Sequence, residues 1–222
     1  MENATTIAPG LRDVLLTGKI KEIVTRTDKE QPRGKGSKYD AVVVDAPPTG
    51  RIGNFLDVTT AMADLAKTGP IRNQSDGVAR LLHSDETVVH LVTLLEAMPI
   101  QETVEAVDDL RSKNVNVGTL IINKVSPVYL PADEIDAIAE GVIDAPRIAS
   151  SLADAQMPVS DTDLAGLLTE SIEHATRLQA QQVAKAQLDE VEVPTLELPL
   201  LDEGIDLGSL YELANLLQKA GA

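Results

Sequence analysis

The sequence contains no cysteine, so no disulfide can brace the chain and no thiolate can hold a metal or attack a substrate. Tryptophan is also absent, and a single phenylalanine and three tyrosines leave only 2% aromatic residues. The core must therefore be built from Val, Ile, Leu, Ala and Met, and few side chains remain on which nucleobases could stack. Positive charge is scarce too: 19 Lys and Arg stand against 35 Asp and Glu, a formal net charge of −16. Such a chain repels phosphate backbones and anionic lipid surfaces, so nucleic-acid binding is not expected. Long hydrophobic runs are missing. The run from Val88 to Met98 carries His90 and Glu96 and is too short to cross a bilayer. Glu2, Arg12 and Asp13 interrupt any apolar core of a signal peptide. A cytoplasmic protein without stable membrane insertion is the expectation.

A hydrophobic fraction of 43% over 222 residues is enough to bury a substantial core. The chain is organised around KYDAVVVDAPPTGR, residues 38–51. Ala41 to Val44 is a continuous β-branched and apolar run, the pattern of a strand buried on both faces of a parallel sheet. Asp45 closes it, which predicts a carboxylate at the carboxyl edge of the sheet, where open α/β folds bind ligands. Thr49 then supplies a hydroxyl, and Gly50 a backbone N–H that can approach an anion closely. An acidic residue closing a hydrophobic strand can serve magnesium, usually through the ion's waters; it can equally cap the next turn.

Upstream, residues 7–27 place Leu11, Val14, Leu15, Ile20 and Ile23 at helical spacing, with Pro9-Gly10 marking the start. Asp28 to Ser37 is polar and glycine-rich and reads as a basic surface loop. Its Gly34-Lys35-Gly36-Ser37 is not a phosphate loop, because it follows a helix and leads into a strand instead of the reverse. Downstream, Asn54 to Lys67 reads as a helix stopped by Gly69-Pro70, and Ser75 to Leu82 as a second short helical piece after polar Ile71 to Gln74.

Residues 86–123 form the clearest βαβ unit. Glu86 to Leu95 is a strand, Pro99 to Lys113 an amphipathic helix with Ile100, Val104, Val107 and Leu110 as its apolar stripe, and Val115 to Asn123 the next strand. A crossover of this length implies parallel pairing. His90 is expected to be a packed strand residue. Asn123 sits at a strand's carboxyl end, where an amide can pair with the edge of a nucleobase or simply form a turn. Guanine would require a carboxylate three positions later; that position is Ser126, so adenine is favoured.

Pro131 to Gly141 and Ile148 to Ala155 read as short helices, and Ser160-Asp161-Thr162 as the cap of a long one from Asp163 to Leu188. Leu164, Leu168, Ile172, Ala175 and Val183 fall on its apolar face, with Gln179, Gln181, Gln182 and Lys185 largely on a wet one and His174 at the surface. Pro194 to Leu201 reads as a final strand and loop, and Leu207 to Lys219 as a closing helix with Gly221 beyond its end.

DAPPTG after a buried strand resembles the Walker B and second switch of the ArsA-type ATPases, the family of the arsenite-pump ATPase and of the factor that targets tail-anchored membrane proteins. Glu96-Ala97-Met98-Pro99 and Glu102-Thr103 resemble it as well. The resemblance implies magnesium and ATP as cofactors, with Asp45 serving the metal and Thr49 and Gly50 sensing the terminal phosphate. It gives Asn123 an adenine-contacting role and places Pro199, Leu200 and Leu201 around the adenine ring, where an apolar clamp suits a purine face. The fold it implies is α/β: a parallel-sheet, P-loop NTPase-like (SIMIBI-type) three-layer domain spanning 1–222, with a short helical insert near 54–85.

The family's phosphate loop and first-switch aspartate lie upstream of the Walker B strand. Only a helix and a loop precede that strand here, so the domain is expected to be N-terminally incomplete. It would be either a truncated ATPase or a half that pairs, as a homo- or hetero-dimer, with a P-loop-bearing ATPase. The insert carries one methionine, Met62, against a methionine-rich client subdomain in the targeting factor. Without cysteine, neither that factor's zinc-bridged dimer nor the pump's metalloid sensor can be built.

Overall fold

The computed structural model of the chain describes residues 11–26, 38–53, 55, 70–201 and 204–221. The basic loop at 28–37 and most of the helix expected over 54–67 lie outside the described residues. The elements run α1 (Leu11–Val24), α2 (Pro70–Leu82), β1 (Val89–Thr93), α3 (Ala97–Ser112), β2 (Val117–Val125), α4 (Ala132–Ala139), α5 (Ala145–Asp154), α6 (Asp161–Asp189), β3 (Thr195–Pro199) and α7 (Leu207–Ala220). Strands β1, β2 and β3 lie in that order in a three-stranded parallel sheet, and the chain is an α/β protein.

The strand expected at Ala41–Val44 does not form. Residues 41–48 carry no regular structure, and Val43 is 95% and Val44 41% exposed. β-branched residues favour a strand only where neighbouring strands accept its backbone and cover its faces; among the described residues none lies alongside this run. Asp45 therefore does not close a strand. A second correction concerns Ile71 to Gln74, expected as polar connecting sequence ahead of a helix from Ser75: Pro70 opens α2 and these residues are helical. A proline loses nothing at the first helical position, because the N–H it lacks has no partner there.

Contacts divide the chain into two compact units, residues 1–91 with 102–118, and 92–101 with 119–222. In the first, α1 packs on α2, and Lys21 crosses so close to Gly77 that a Cβ there would collide with its side chain. The buried residues of this unit include Ile52, Phe55, Val78, Leu82, Val107 and Leu110. Helix α3 turns its expected stripe inward at Ile100, Val107 and Leu110. It ends on Asn114, whose backbone is left-handed (φ 54°), while the Val115 N–H returns to the Leu110 carbonyl.

In the second unit β2 and β3 pair from Leu120↔Thr195 to Val125↔Pro199, with an irregularity between Ile122 and Val125. Helix α6 packs along α4, joining Ala175 and Leu178 to Ile135. Ser160 caps α6 as expected, its hydroxyl oxygen accepting from the Asp163 N–H. The buried face of α6 differs from the expected one toward its end: Val183 is exposed, and Ala184 and Leu188 are buried in its place. Gln179 and Gln181 are half-buried and bonded, Gln179 to Asp136 at 2.7 Å, instead of lying free on a wet face. His90, expected to be packed in its strand, is exposed on β1.

Candidate nucleotide site

The carboxyl edge of β2 and β3 brings two of the expected groups together. Asn123 lies two residues before the end of β2 and is half-buried. Its side-chain oxygen accepts from the backbone N–H of Lys124 at 3.0 Å. Lys124 itself is left-handed, with φ 56°, a conformation that costs a non-glycine residue about 1 kcal/mol. That kink coincides with the break in the ladder between Ile122 and Val125. On the neighbouring strand Pro199 is the register partner of Val125, and the Leu200 N–H donates to the Val125 carbonyl at 2.9 Å. Pro199 and Leu200 are exposed and Leu201 is half-buried, so the loop presents apolar surface beside the Asn123 strand end.

Polar contacts brace this edge from α6. Gln181 donates to the Ser126 hydroxyl at 3.5 Å, one residue past β2. Lys185 pairs with Glu197, the residue of β3 in register with Ile122. The hydrogen bond from that carboxylate holds the lysine ammonium above its ordinary pKa, against the opposing effect of partial burial.

Asp45, Thr49, Gly50 and Arg51 belong to the other unit. Asp45 is exposed. The chain turns just beyond it, the Arg51 N–H donating to the Pro48 carbonyl at 2.8 Å, and residues 49–53 form a helical turn. That turn is seated by buried Ile52, and Thr49 makes a long contact, 3.4 Å, from its hydroxyl to the Glu102 carboxylate on α3. A Cβ on Gly53 would run into the Asp109 carboxylate, itself ion-paired with Lys113, so the turn passes close over the polar face of α3.

The donors suit the groups the resemblance implies only in part. The Asn123 amide nitrogen and one oxygen lone pair remain available for the two-point pairing an adenine edge offers. Asp45 offers one exposed carboxylate, enough for a magnesium held through its waters and too little for a metal held by protein alone. Among the described residues no three acidic or histidine side chains cluster into a metal cage. No helix among them is long and apolar enough to cross a membrane. The strained backbone of Lys124 was not legible beforehand: the residue type carries no signal for it, and only the extension of β2 past Asn123 exposes it.

No protein-family model matches the chain. Its likenesses lie with proteins named as ATPases. Over 221 residues, 100% of the chain, it is 54% identical to ATPase BagA of Mycobacterium tuberculosis, of which it spans 64%. It is also 23% identical over 165 residues, 62% of the chain and 46% of the relative, to ATPase GET3 of Kluyveromyces lactis. With ATPase GET3 of Zygosaccharomyces rouxii it shares 22% identity over 145 residues, 53% of the chain and 40% of that relative. The chain thus spans just under two thirds of the first of these relatives and less than half of the others.

Proposed function

We propose that this chain is the adenine-binding and switch-bearing part of an ArsA-type ATPase, a cytoplasmic protein that in its intact form binds and hydrolyses ATP with magnesium and couples the cycle to a conformational change. The observation that carries the reading is the placement of the Asn123 strand end and the Pro199–Leu201 loop at one sheet edge, where Val125 pairs with Pro199 and accepts from the Leu200 N–H. In this reading Asn123 reads the adenine edge, and Pro199, Leu200 and Leu201 cover the ring face. Asp45 holds magnesium through its waters, and Thr49 and Gly50 move with the state of the terminal phosphate. Bound magnesium would neutralise charge on the transferring phosphoryl group.

Phosphoryl transfer also needs backbone N–H groups and a lysine around the β- and γ-phosphates. Among the described residues no strand leads through a glycine-rich, lysine-bearing loop into a helix. The chain by itself is therefore expected not to turn over ATP. The experiment is a magnesium-ATP hydrolysis assay on the purified chain with Asp45→Asn alongside. Hydrolysis that depends on Asp45 would overturn the expectation of inactivity and support the metal role; hydrolysis indifferent to Asp45 would count against that role.

A second reading is favoured by the Ala41–Val44 run, beside which no strand lies among the described residues: a non-hydrolysing interaction subunit that pairs with a P-loop-bearing ATPase as a homo- or hetero-dimer. Adenine-nucleotide binding at the Asn123 edge without hydrolysis, restored to turnover by such a partner, would select it.

A further inference from the structure

The face of α6 that packs on α4 borders a cavity of about 140 Å³. From α6 come Ser171, His174, Ala175 and Leu178, which recur at steps of three and four and so share one face of the helix. Opposite them α4 contributes Ile135 and Ile138, and the segment leading into α4 adds the exposed Tyr129 and Leu130. Ile135, Ala175 and Leu178 are buried, so the floor of the cavity is apolar. Two polar groups break that lining. His174, expected at the surface, is half-buried, and its ring has no hydrogen-bond partner among the described residues. The Ser171 hydroxyl donates to the Leu167 carbonyl at 2.8 Å, which commits its proton and leaves its oxygen free to accept.

We propose that this cavity binds a small aromatic alcohol: one uncharged six-membered ring carrying a single hydroxyl. Size sets the number of rings, since one benzene occupies a cavity of about 150 Å³. The apolar floor takes the ring, and Tyr129 can meet it edge to face. The polar pair sets the substituent. Ser171 needs a donor, which a hydroxyl supplies and an ether or ketone does not, and the oxygen of that hydroxyl can accept in turn from the His174 ring N–H. Among the described residues no lysine or arginine lines the cavity, and the chain carries a net charge of −16, so a carboxylate on the ring would lose its water without gaining a permanent countercharge. All the wall residues lie in one unit of the chain, and none belongs to the proposed nucleotide site, so the inference does not depend on that reading.

The test is a titration of the full chain with phenol, benzene and benzoate, read from the NMR methyl signals of Leu130, Ile135, Ile138 and Leu178. Phenol is expected to shift these signals saturably, with an affinity about fivefold above that of benzene, the factor one net hydrogen bond supplies. Benzoate should leave them in place. Ser171→Ala keeps the helix, since that hydroxyl bonds to its own helix and alanine favours one, and should bring phenol down to the affinity of benzene. Ser171→Leu should fill the space and abolish the shifts from both ligands; if that larger side chain prevents folding, Ser171→Ala decides. The absence of a saturable shift with phenol overturns the proposal. So do equal affinities of phenol and benzene in the parent chain, benzoate binding as tight as phenol, or a phenol preference that survives Ser171→Ala.

Discussion

Leu200 donates its backbone N–H to the carbonyl of Val125 over 2.9 Å, and this bond sets the apolar turn after β3 beside the strand that carries Asn123. Because the two strands run parallel, both carboxyl ends arrive at the same edge, where ligands of such sheets bind. Truncating Asn123 to alanine removes a two-point hydrogen-bonding group worth on the order of 1.4 kcal/mol, about tenfold in affinity. Asn123→Ala should weaken adenine-nucleotide binding by about that factor in a titration with magnesium-ATP, while the lost bond to the Lys124 N–H lowers stability to urea by about 1 kcal/mol and leaves the chain folded. Equal affinity in the two proteins would remove Asn123 from the site.

The kink at Lys124 supplies a stability test at the same edge. A non-glycine residue in the left-handed region costs roughly 1–2 kcal/mol, and glycine gives back about 0.5–1 kcal/mol of that in lost chain entropy on folding. Lys124→Gly should therefore raise stability by about 0.5 kcal/mol. Lys124→Val, whose branched side chain fits that backbone worst, should lower it. Midpoints in urea denaturation with unchanged slopes would establish both.

Leu188 is fully buried at the end of α6. Leu188→Ala should cost about 3 kcal/mol, from lost burial plus the cavity left behind. The exposed Val183, five residues earlier on the same helix, should tolerate alanine within about 0.5 kcal/mol. Together the two variants test which face of α6 is covered, and thermal melts would read the difference.

The error at Val183 shows what a helical spacing can and cannot tell. Leu164, Leu168, Ile172 and Ala175 were legible as a stripe because each lies three or four residues from the next. Beyond Ala175 two sets continue that spacing, and which is buried depends on where the partners of α6 end; Leu178 packs on α4, and the stripe follows Ala184 and Leu188. The βαβ unit around α3 was legible for a stronger reason, since two apolar runs and a helix of suitable length leave few other arrangements. Ala41–Val44 failed for the opposite reason. Strand propensity records what a pleated, covered environment would accept, and no covering strand lies beside these residues among those described. Asn123 and Pro199–Leu201 could be placed at strand ends from sequence. Their adjacency could not, because it rests on β2 and β3 being neighbours, and 69 residues separate Val125 from Thr195.

The Lys185–Glu197 ion pair gives a salt and pH signature. Lys185 is raised above its ordinary pKa chiefly by the Glu197 hydrogen bond. The stability it contributes is complete below the lysine's unfolded pKa, about 10.4, and is lost as pH rises through the higher folded value. Both side chains are more than a third exposed, so solvent screening keeps the pair below about 1 kcal/mol. Lys185→Met should lose less than that at pH 7 in low salt, lose less still in 1 M salt, and abolish the part of the alkaline destabilisation that comes from this pair.

Asp206 closes α7 at its start by a reciprocal cap: its carboxylate accepts from the Ser209 N–H, and the Ser209 hydroxyl accepts from the Asp206 N–H. The Ser209 backbone bond, more than any other influence, holds the Asp206 carboxyl below the usual carboxylate range. A depressed folded pKa contributes stability above the unfolded value, near 3.9, and that contribution disappears as pH falls through the folded one. Helix α7 has no fully buried residue, so its first turn depends on this cap more than a core helix would. Acidification below about pH 4 should therefore fray α7 from Leu207 onward, seen as rising amide exchange at Ser209 and Leu210. Asparagine caps a helix about as well as aspartate and does not titrate here. Asp206→Asn should keep the cap at neutral pH and remove its acid sensitivity, whereas Asp206→Ala should show the frayed exchange pattern at every pH. If Asp206→Asn frays in acid as the parent does, the sensitivity comes from elsewhere than this carboxylate.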